Sequence, residues 1–362
     1  MKVDTPLFII TLLLVVVGFF IFTSASLGLL ARDGARFSSV AFSQVGLGMA
    51  LGTVLLITLS RIRYRLLRPY ALFFFIGALV LTLLVFIPGL GRSANGATRW
   101  LEIGLFSIQP SEFLKLAYVI YLASFLAGAH RHIHDSRYSV LPFLGITGAT
   151  AITLILQPDT STILVILCAG FAMLIAAGAK VRDLAITALV PLTALAALVI
   201  WKPYIRERLL TFLNPLSDQL GAGYQIKQSL IAVGSGEWFG RGFGQSVQKF
   251  NYLPEPIGDS IFAVFAEEFG FIGAMLLIGV FLAFAFRGLR IASRAPDYFG
   301  GLLVVGIVIL IISQSFINIA SMLGVMPLTG LPLVFISHGG TALASALAGV
   351  GIVLNVSKYT RS

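Results

Sequence analysis

Ten blocks of largely apolar residues, each near the length of a bilayer crossing, follow one another along the chain: 7–30, 39–60, 69–90, 110–128, 140–157, 161–178, 184–200, 261–286, 300–323 and 338–356. A helix needs about 20 such residues to span a bilayer, and a helix satisfies its own backbone hydrogen bonds where water is absent. The pattern predicts an all-α, polytopic integral membrane protein with about ten transmembrane helices. The first block is longer than the apolar core of a secretory leader and reads as a retained helix. One connection is long, about 201–258, and residues 1–362 read as a single transmembrane domain around it.

An even number of spans puts both termini on one face. Short connections and tails on that face carry 14 Lys and Arg, against four on the other (Arg32, Arg36, Arg92 and Arg99), so the positive-inside bias places the termini in the cytoplasm and the long connection outside. Composition agrees: 58% hydrophobic, 11% charged, mean hydropathy +0.97. The net charge of +10 is dispersed in short clusters between spans, where lipid head groups and the membrane potential act on it; it gives nucleic acid no support as a partner. A single cysteine, Cys168, inside an apolar block leaves neither a disulfide framework nor a Cys-based zinc site. The tract "HRHIHD" (130–135) lies in a basic cytoplasmic connection and reads as a solvated loop rather than a metal site.

Ionisable side chains in or beside spans are expensive, so each marks a pairing or a function. Glu112 and Lys115, in "QPSEFLKLA", sit three apart on one helical face behind Pro110; they form a structural ion pair or touch substrate. Asp159, in "LQPDTST", is an N-cap or a polar wall of a substrate cavity. In "YLPEPIGDSIFAVFAEEFG" (252–270), Pro254 and Pro256 stop one element, Gly258 turns the chain, and Asp259 caps or opens the next span. Glu267 and Glu268 follow about two and a half turns deeper, where at least one faces the bundle. With Glu112 and Asp159 they are expected to describe one acidic, outward-opening cavity, with Glu255 as loop structure. Arg241 and Lys249, upstream in the same connection, and Arg99 on another outer loop offer cations.

The long connection also predicts a short amphipathic helix, 224–233, apolar at Ile226, Leu230, Ile231 and Val233, followed by a glycine-rich run from Gly234 to Gly244. That run is either a flexible turn or a close approach of backbone N–H groups to a phosphate. "MPLTGLPLVFISHGG" (326–340), which holds Ser337, Gly339 and Gly340, is too short and apolar for a soaked loop and is expected to dip into the membrane as broken helix.

Six blocks in order, "NGATRW" (95–100), "QPSEFLKL" (109–116), "QPD" (157–159), "GSGEWFGRGFGQSVQKFNYLPE" (234–255), "DSIFAVFAEEFGFIG" (259–273) and "PLTGLPLVFISHGG" (327–340), resemble the SEDS (shape, elongation, division and sporulation) family, which includes FtsW and RodA. The likeness covers nearly the whole chain, and "GQSVQKFNYLPE" is more similar to FtsW than to RodA through Ser246, Gln248 and Lys249. The resemblance implies a ten-span peptidoglycan polymerase in the bacterial cytoplasmic membrane. It implies a chain that joins the disaccharide units of lipid II on the outer side, beside a class B penicillin-binding protein and other division or elongation proteins. The family's essential carboxylate falls on Asp259, and its paired acid and lysine on Glu112 and Lys115. Two departures stand out: Ile257 and Gly258 replace a usual His-Thr, and the stretch from Ser337 to Ala342 replaces a usual Ser-Tyr-Gly-Gly-Ser-Ser. Roles of the missing His and Thr do not carry over.

On that resemblance an α-linked donor becomes a β-linked polymer, so the anomeric carbon inverts, and inversion needs a base opposite the leaving group. Asp259 is expected to deprotonate the acceptor 4-hydroxyl, which expels undecaprenyl pyrophosphate. Lys249, then Arg241, are expected to hold the phosphates, with Asp159, Glu112, Lys115 and Arg99 binding substrate, and with Glu267, Glu268, Ser337, Gly339 and Gly340 shaping the cavity. No tightly bound cofactor is expected; a divalent cation, magnesium or manganese, is compatible with the chemistry, with Asp259 as its ligand. Two rival classes are a lipid II flippase, whose acids line a path, and a non-catalytic scaffold of the division machinery, for which Asp259 is dispensable. Against the flippase, the acids cluster at the outer leaflet.

Overall fold

A computed structural model describes residues 3–32, 34–94, 97–103, 106–215, 218 and 221–360. Lys2 and Arg361 of the charge count, Asn95 and Gly96 of "NGATRW", and the side chains of Arg32 and Arg36 lie outside the described residues. Among those described, ten helices are long and apolar enough to cross a membrane, each on one of the expected blocks. They begin with α1 (Thr5–Arg32) and a second span made of α2 (Gly34–Phe42), a π-helical stretch (Ser43–Leu51) and α3 (Gly52–Arg61). Then come α4 (Leu67–Leu83), α5 (Pro110–Gly128), α6 (Ser136–Leu156), α7 (Thr160–Ala177) and α8 (Val181–Trp201). Two short helices, α9 (Pro203–Leu213) and α10 (Ala222–Ser235), occupy the long connection before α11 (Ile261–Ser293), α12 (Tyr298–Met322) and α13 (Gly340–Ser357). Both chain ends leave from one face, the terminal face, opposite the loop face that carries α9 and α10.

Helix α13 is the axis of the bundle, 94% buried over its span, whereas α8 is 6% buried and stands at the edge. Gly, Ala and Ser along α13 allow close backbone approach, which drives helix association where lipid offers no hydrophobic gain. A Cβ on Gly351 would strike the backbone of Leu56, and one on Gly340 the backbone of Ser43. Helix α8 is anchored near the terminal face by Asp183, which accepts hydrogen bonds from Ser136 and Ser139 at 2.7 Å each.

Three features go beyond a plain bundle. A small antiparallel sheet, β1 (Gly91–Ala94), β2 (Ala97–Ile103) and β3 (Phe106–Ile108) in that order, covers the loop face between α4 and α5. The expected amphipathic helix forms as α10, but it buries Gly223, Ile226, Ser229 and Ala232 and leaves Leu230 and Ile231 exposed. The third feature is a break in α11 at Gly270, with φ 67° and ψ −168°. A break frees backbone groups that lipid cannot satisfy, and the glycine-rich run supplies their partners. The amides of Arg241 and Gly242 donate to the carbonyls of Glu267 and Glu268 at 3.0 Å each, and the amides of Phe271 and Ile272 donate to the carbonyls of Glu237 and Trp238 at 2.8 and 3.1 Å. A Cβ on Gly236 or Gly240 would collide with the carbonyl of Ala266 or Glu268, and Gly240 has φ 82°, a conformation glycine reaches without strain. The run is therefore a splint on a broken helix, neither a loose turn nor a phosphate cradle.

Segment 326–339 does enter the bundle, with Leu328, Leu331, Leu333, Val334, Phe335, Ile336 and Ser337 buried, but as irregular backbone rather than broken helix. Its polar groups are met by side chains of the second span and of α12.

Candidate active site

Asp259 stands two residues before α11 at the loop face, and the side chains that hold it come from three directions. Asn318 of α12 donates one amide hydrogen bond to the Asp259 carbonyl and another to the Leu331 carbonyl, both at 2.7 Å. One turn deeper, Gln314 donates to the Pro332 carbonyl at 3.1 Å. Two amides of α12 thus grip consecutive carbonyls of the irregular segment, and Asn318 ties that segment to Asp259. From the segment itself, Ser337 Oγ donates to the Gly258 carbonyl and the His338 amide to the Ile257 carbonyl, at 2.7 Å each. Gln44, in the π-helical stretch, accepts from the Gly339 amide at 3.0 Å and donates to the Ser337 carbonyl at 3.3 Å. Ser337 and Gly339 therefore brace the turn that carries Asp259, while Gly340 lets α13 close on the second span.

The carboxylate has two unlike oxygens. Oδ2 accepts from Gln225 Nε2 of α10 at 3.2 Å, and the same nitrogen donates to Ser260 Oγ at 3.0 Å. Oδ1 is closed off from solvent and has no hydrogen-bond partner. Burial pushes the carboxyl up from 3.8 to about 6, with the charge of Glu255 adding to the rise and the Gln225 bond offsetting part of it. Such a group is mostly ionised at neutral pH and more basic than an ordinary aspartate, which suits proton abstraction.

The other predicted acids are each matched locally. Asp159 caps α7, accepting from Thr162 Oγ1 at 2.9 Å and from its amide at 3.4 Å, and Arg99 of β2 donates to the neighbouring Gln157 and Pro158 carbonyls. Glu112 and Lys115 are a buried ion pair at 2.9 Å; Lys115 also donates to Gln314 Oε1, which links the pair to the irregular segment through Pro332. Glu267 accepts from Ser246 Oγ and from the amides of Val247 and Gln248. Lys249 is the main correction. It is buried against Glu268, and its ammonium donates to Glu268 Oε1 at 2.8 Å, Ser24 Oγ at 2.9 Å and the Gly244 carbonyl at 2.8 Å. All three of its donors are occupied, so it pins the connection to α1 and α11 rather than facing a phosphate. Arg241, with 43% of its side chain exposed, has Glu267 as its nearest carboxylate, at 3.6 Å.

The chain matches the family model FTSW_RODA_SPOVE, described as a cell cycle protein, across residues 4–362. It belongs to that family. It is 41% identical to stage V sporulation protein E of Bacillus subtilis (strain 168) over 99% of this chain and 98% of that one. It is 38% identical to the probable peptidoglycan glycosyltransferase FtsW of Geobacter sp. (strain M18), covering 88% of this chain and 84% of that one. Its fold overlays a chain from a peptidoglycan synthase complex solved to explain the structural coordination of polymerization and crosslinking, with TM-score 0.79 and 30% identity over 99% and 98% of the two chains. The SEDS resemblance and the ten-span helical fold are thereby borne out. What a reading of this SEDS chain by charge alone passes over are its neutral amides, Gln44, Gln225, Gln314 and Asn318. Their signal is faint but present: an amide inside an apolar run, as in "SQSFINIA" (313–320), needs a partner as surely as a charge does.

Proposed function

We propose that this chain is a peptidoglycan glycosyltransferase that polymerises lipid II at the outer face of the bacterial cytoplasmic membrane, together with a class B penicillin-binding protein. The observation that carries the reading is Asp259, a carboxylate gripped through its own backbone, with one oxygen aimed by Gln225 and the other unpartnered. Supporting it are relatives named as peptidoglycan glycosyltransferases, and a terminal face richer in Lys and Arg, as a cytoplasmic face is.

In the reaction, the Asp259 carboxylate takes the proton of the acceptor's sugar 4-hydroxyl. The hydroxyl oxygen so freed bonds to the anomeric carbon of the lipid-linked chain as the bond from the same carbon to the diphosphate oxygen breaks, and the electron pair leaves with undecaprenyl pyrophosphate. Attack opposite the leaving group inverts the centre. Gln225 and Asn318 hold the base in one geometry, so little ordering remains for the transition state. The Asp259 carboxylate is also the group that would hold a divalent cation. No three His, Cys, Asp or Glu side chains gather for a metal among the described residues, so such a cation would complete its shell from water and substrate phosphates, as magnesium does, and supply charge for the leaving group.

Purified protein in liposomes, with labelled lipid II and a class B partner whose transpeptidase is inactivated, tests the reading. Wild type should give glycan ladders and folded Asp259→Asn none. Ladders from Asp259→Asn at the wild-type rate would remove the base assignment, and lipid II movement by the wild type without ladders would turn the reading to transport.

A further inference from the structure

The reassignment of Lys249 leaves the leaving group without a cation, and α9 offers one. Arg208 is partly buried, and among the described residues no hydrogen bond or ion pair holds its guanidinium. Tyr204, four residues earlier and therefore on the same helical face, has a hydroxyl closed off from solvent beside the Thr160 side chain at the start of α7, next to Asp159. The charges of Arg99 and Asp159 act on both side chains, and that of Asp259 on Arg208 as well. Neither aspartate comes within ion-pair distance of Arg208, and Asp159 is already bound to Thr162. Arg99 uses two of its five N–H donors on the Gln157 and Pro158 carbonyls. Burial and the like charge of Arg99 both push the Arg208 guanidinium down from its ordinary range. Two partly buried guanidiniums within range of each other's charge are costly unless an anion lies near both.

We infer that Arg208 of α9, with Arg99 of β2, forms a diphosphate-binding site near Asp259. Each guanidinium presents a fork of donors that matches phosphate oxygens two at a time, and two forks suit the row of oxygens on a diphosphate better than a single phosphate. The inference rests on the proposed glycosyl transfer, for which it names the holder of the departing group.

The test is binding of inorganic pyrophosphate to the purified full chain in nanodiscs, by calorimetry, with inorganic phosphate as a second ligand and with phosphatidylglycerol present or absent. Wild type should bind pyrophosphate more tightly than phosphate. Arg208→Gln should weaken pyrophosphate binding at least tenfold and Arg208→Lys less, while Arg206→Gln, exposed on the opposite side of α9, should leave it unchanged. No binding by the wild type at millimolar pyrophosphate, or equal binding by Arg208→Gln, overturns the site. Displacement of pyrophosphate by phosphatidylglycerol also overturns it, making the pair an ordinary lipid head-group contact. The two readings fail separately. Arginine-dependent pyrophosphate binding in a chain that makes no glycan keeps the site and removes the transferase, whereas Arg208→Gln polymerising lipid II at the wild-type rate removes the site and keeps the transferase.

Discussion

Replacing Asp259 by asparagine should make the pH dependence of stability expose the cost of holding this carboxylate as the proposed base. The folded carboxyl titrates at about 6 instead of 3.8. Between those values the folded chain holds a proton that the unfolded chain releases, so the wild type loses stability as pH rises from about 4 through about 6, and the loss persists above. At about 1.4 kcal/mol per pH unit the total is about 3 kcal/mol, an upper figure because part of the residue stays open to solvent. Asparagine keeps an oxygen for Gln225 and cannot ionise, but it sets an amide where Oδ1 had no partner, at a cost of about 1 kcal/mol that does not vary with pH. The variant should therefore be less stable than wild type by about 1 kcal/mol at pH 4 and more stable by about 2 kcal/mol at pH 8. The assay is the unfolding midpoint in detergent by tryptophan fluorescence, taken for both proteins from pH 4 to 8, beside wild-type polymerisation, which should fall as pH drops through about 6. A stability gap that stays constant across that range would refute the claim that Asp259 is held ionised against its surroundings.

Two further outcomes follow from the loop face. Lys249→Met strands the buried Glu268 carboxylate and should cost about 3–5 kcal/mol in the same unfolding assay, with part of the loss recovered by adding Glu268→Gln; unchanged stability with lost pyrophosphate binding would return Lys249 to the role of phosphate holder. Gly240→Ala forces a Cβ against the Glu268 carbonyl at φ 82° and should lower the midpoint and the yield of monodisperse protein. Gly234→Ala, whose Cβ meets nothing nearby, should not lower either, and equal behaviour of the two variants would dismiss the splint.

Ten spans and the shared face of the termini were legible from the order of residues alone, because lipid offers no hydrogen bonds and leaves length and apolarity as a nearly sufficient code for a crossing helix. Asp259 was legible for a related reason: a carboxylate at the mouth of a span, framed by Pro254, Pro256 and Gly258, has few uses that are not functional or capping. The chemistry of the other charges was not. Spacing along α11 tells how deep Glu267 and Glu268 lie but not that the connection folds back to meet them, and nothing near Lys249 in the chain announces Glu268 or Ser24 as its partners. The break at Gly270 was hidden because one glycine in an apolar run looks like any other until the amides of residues 241 and 242 are found against it. Periodicity reports what each helix shows to its surroundings. Which side chains face each other across the bundle depends on how the helices are turned and how far each connection reaches, and that was decided only by the packing of α11, α12 and the irregular segment around one carboxylate.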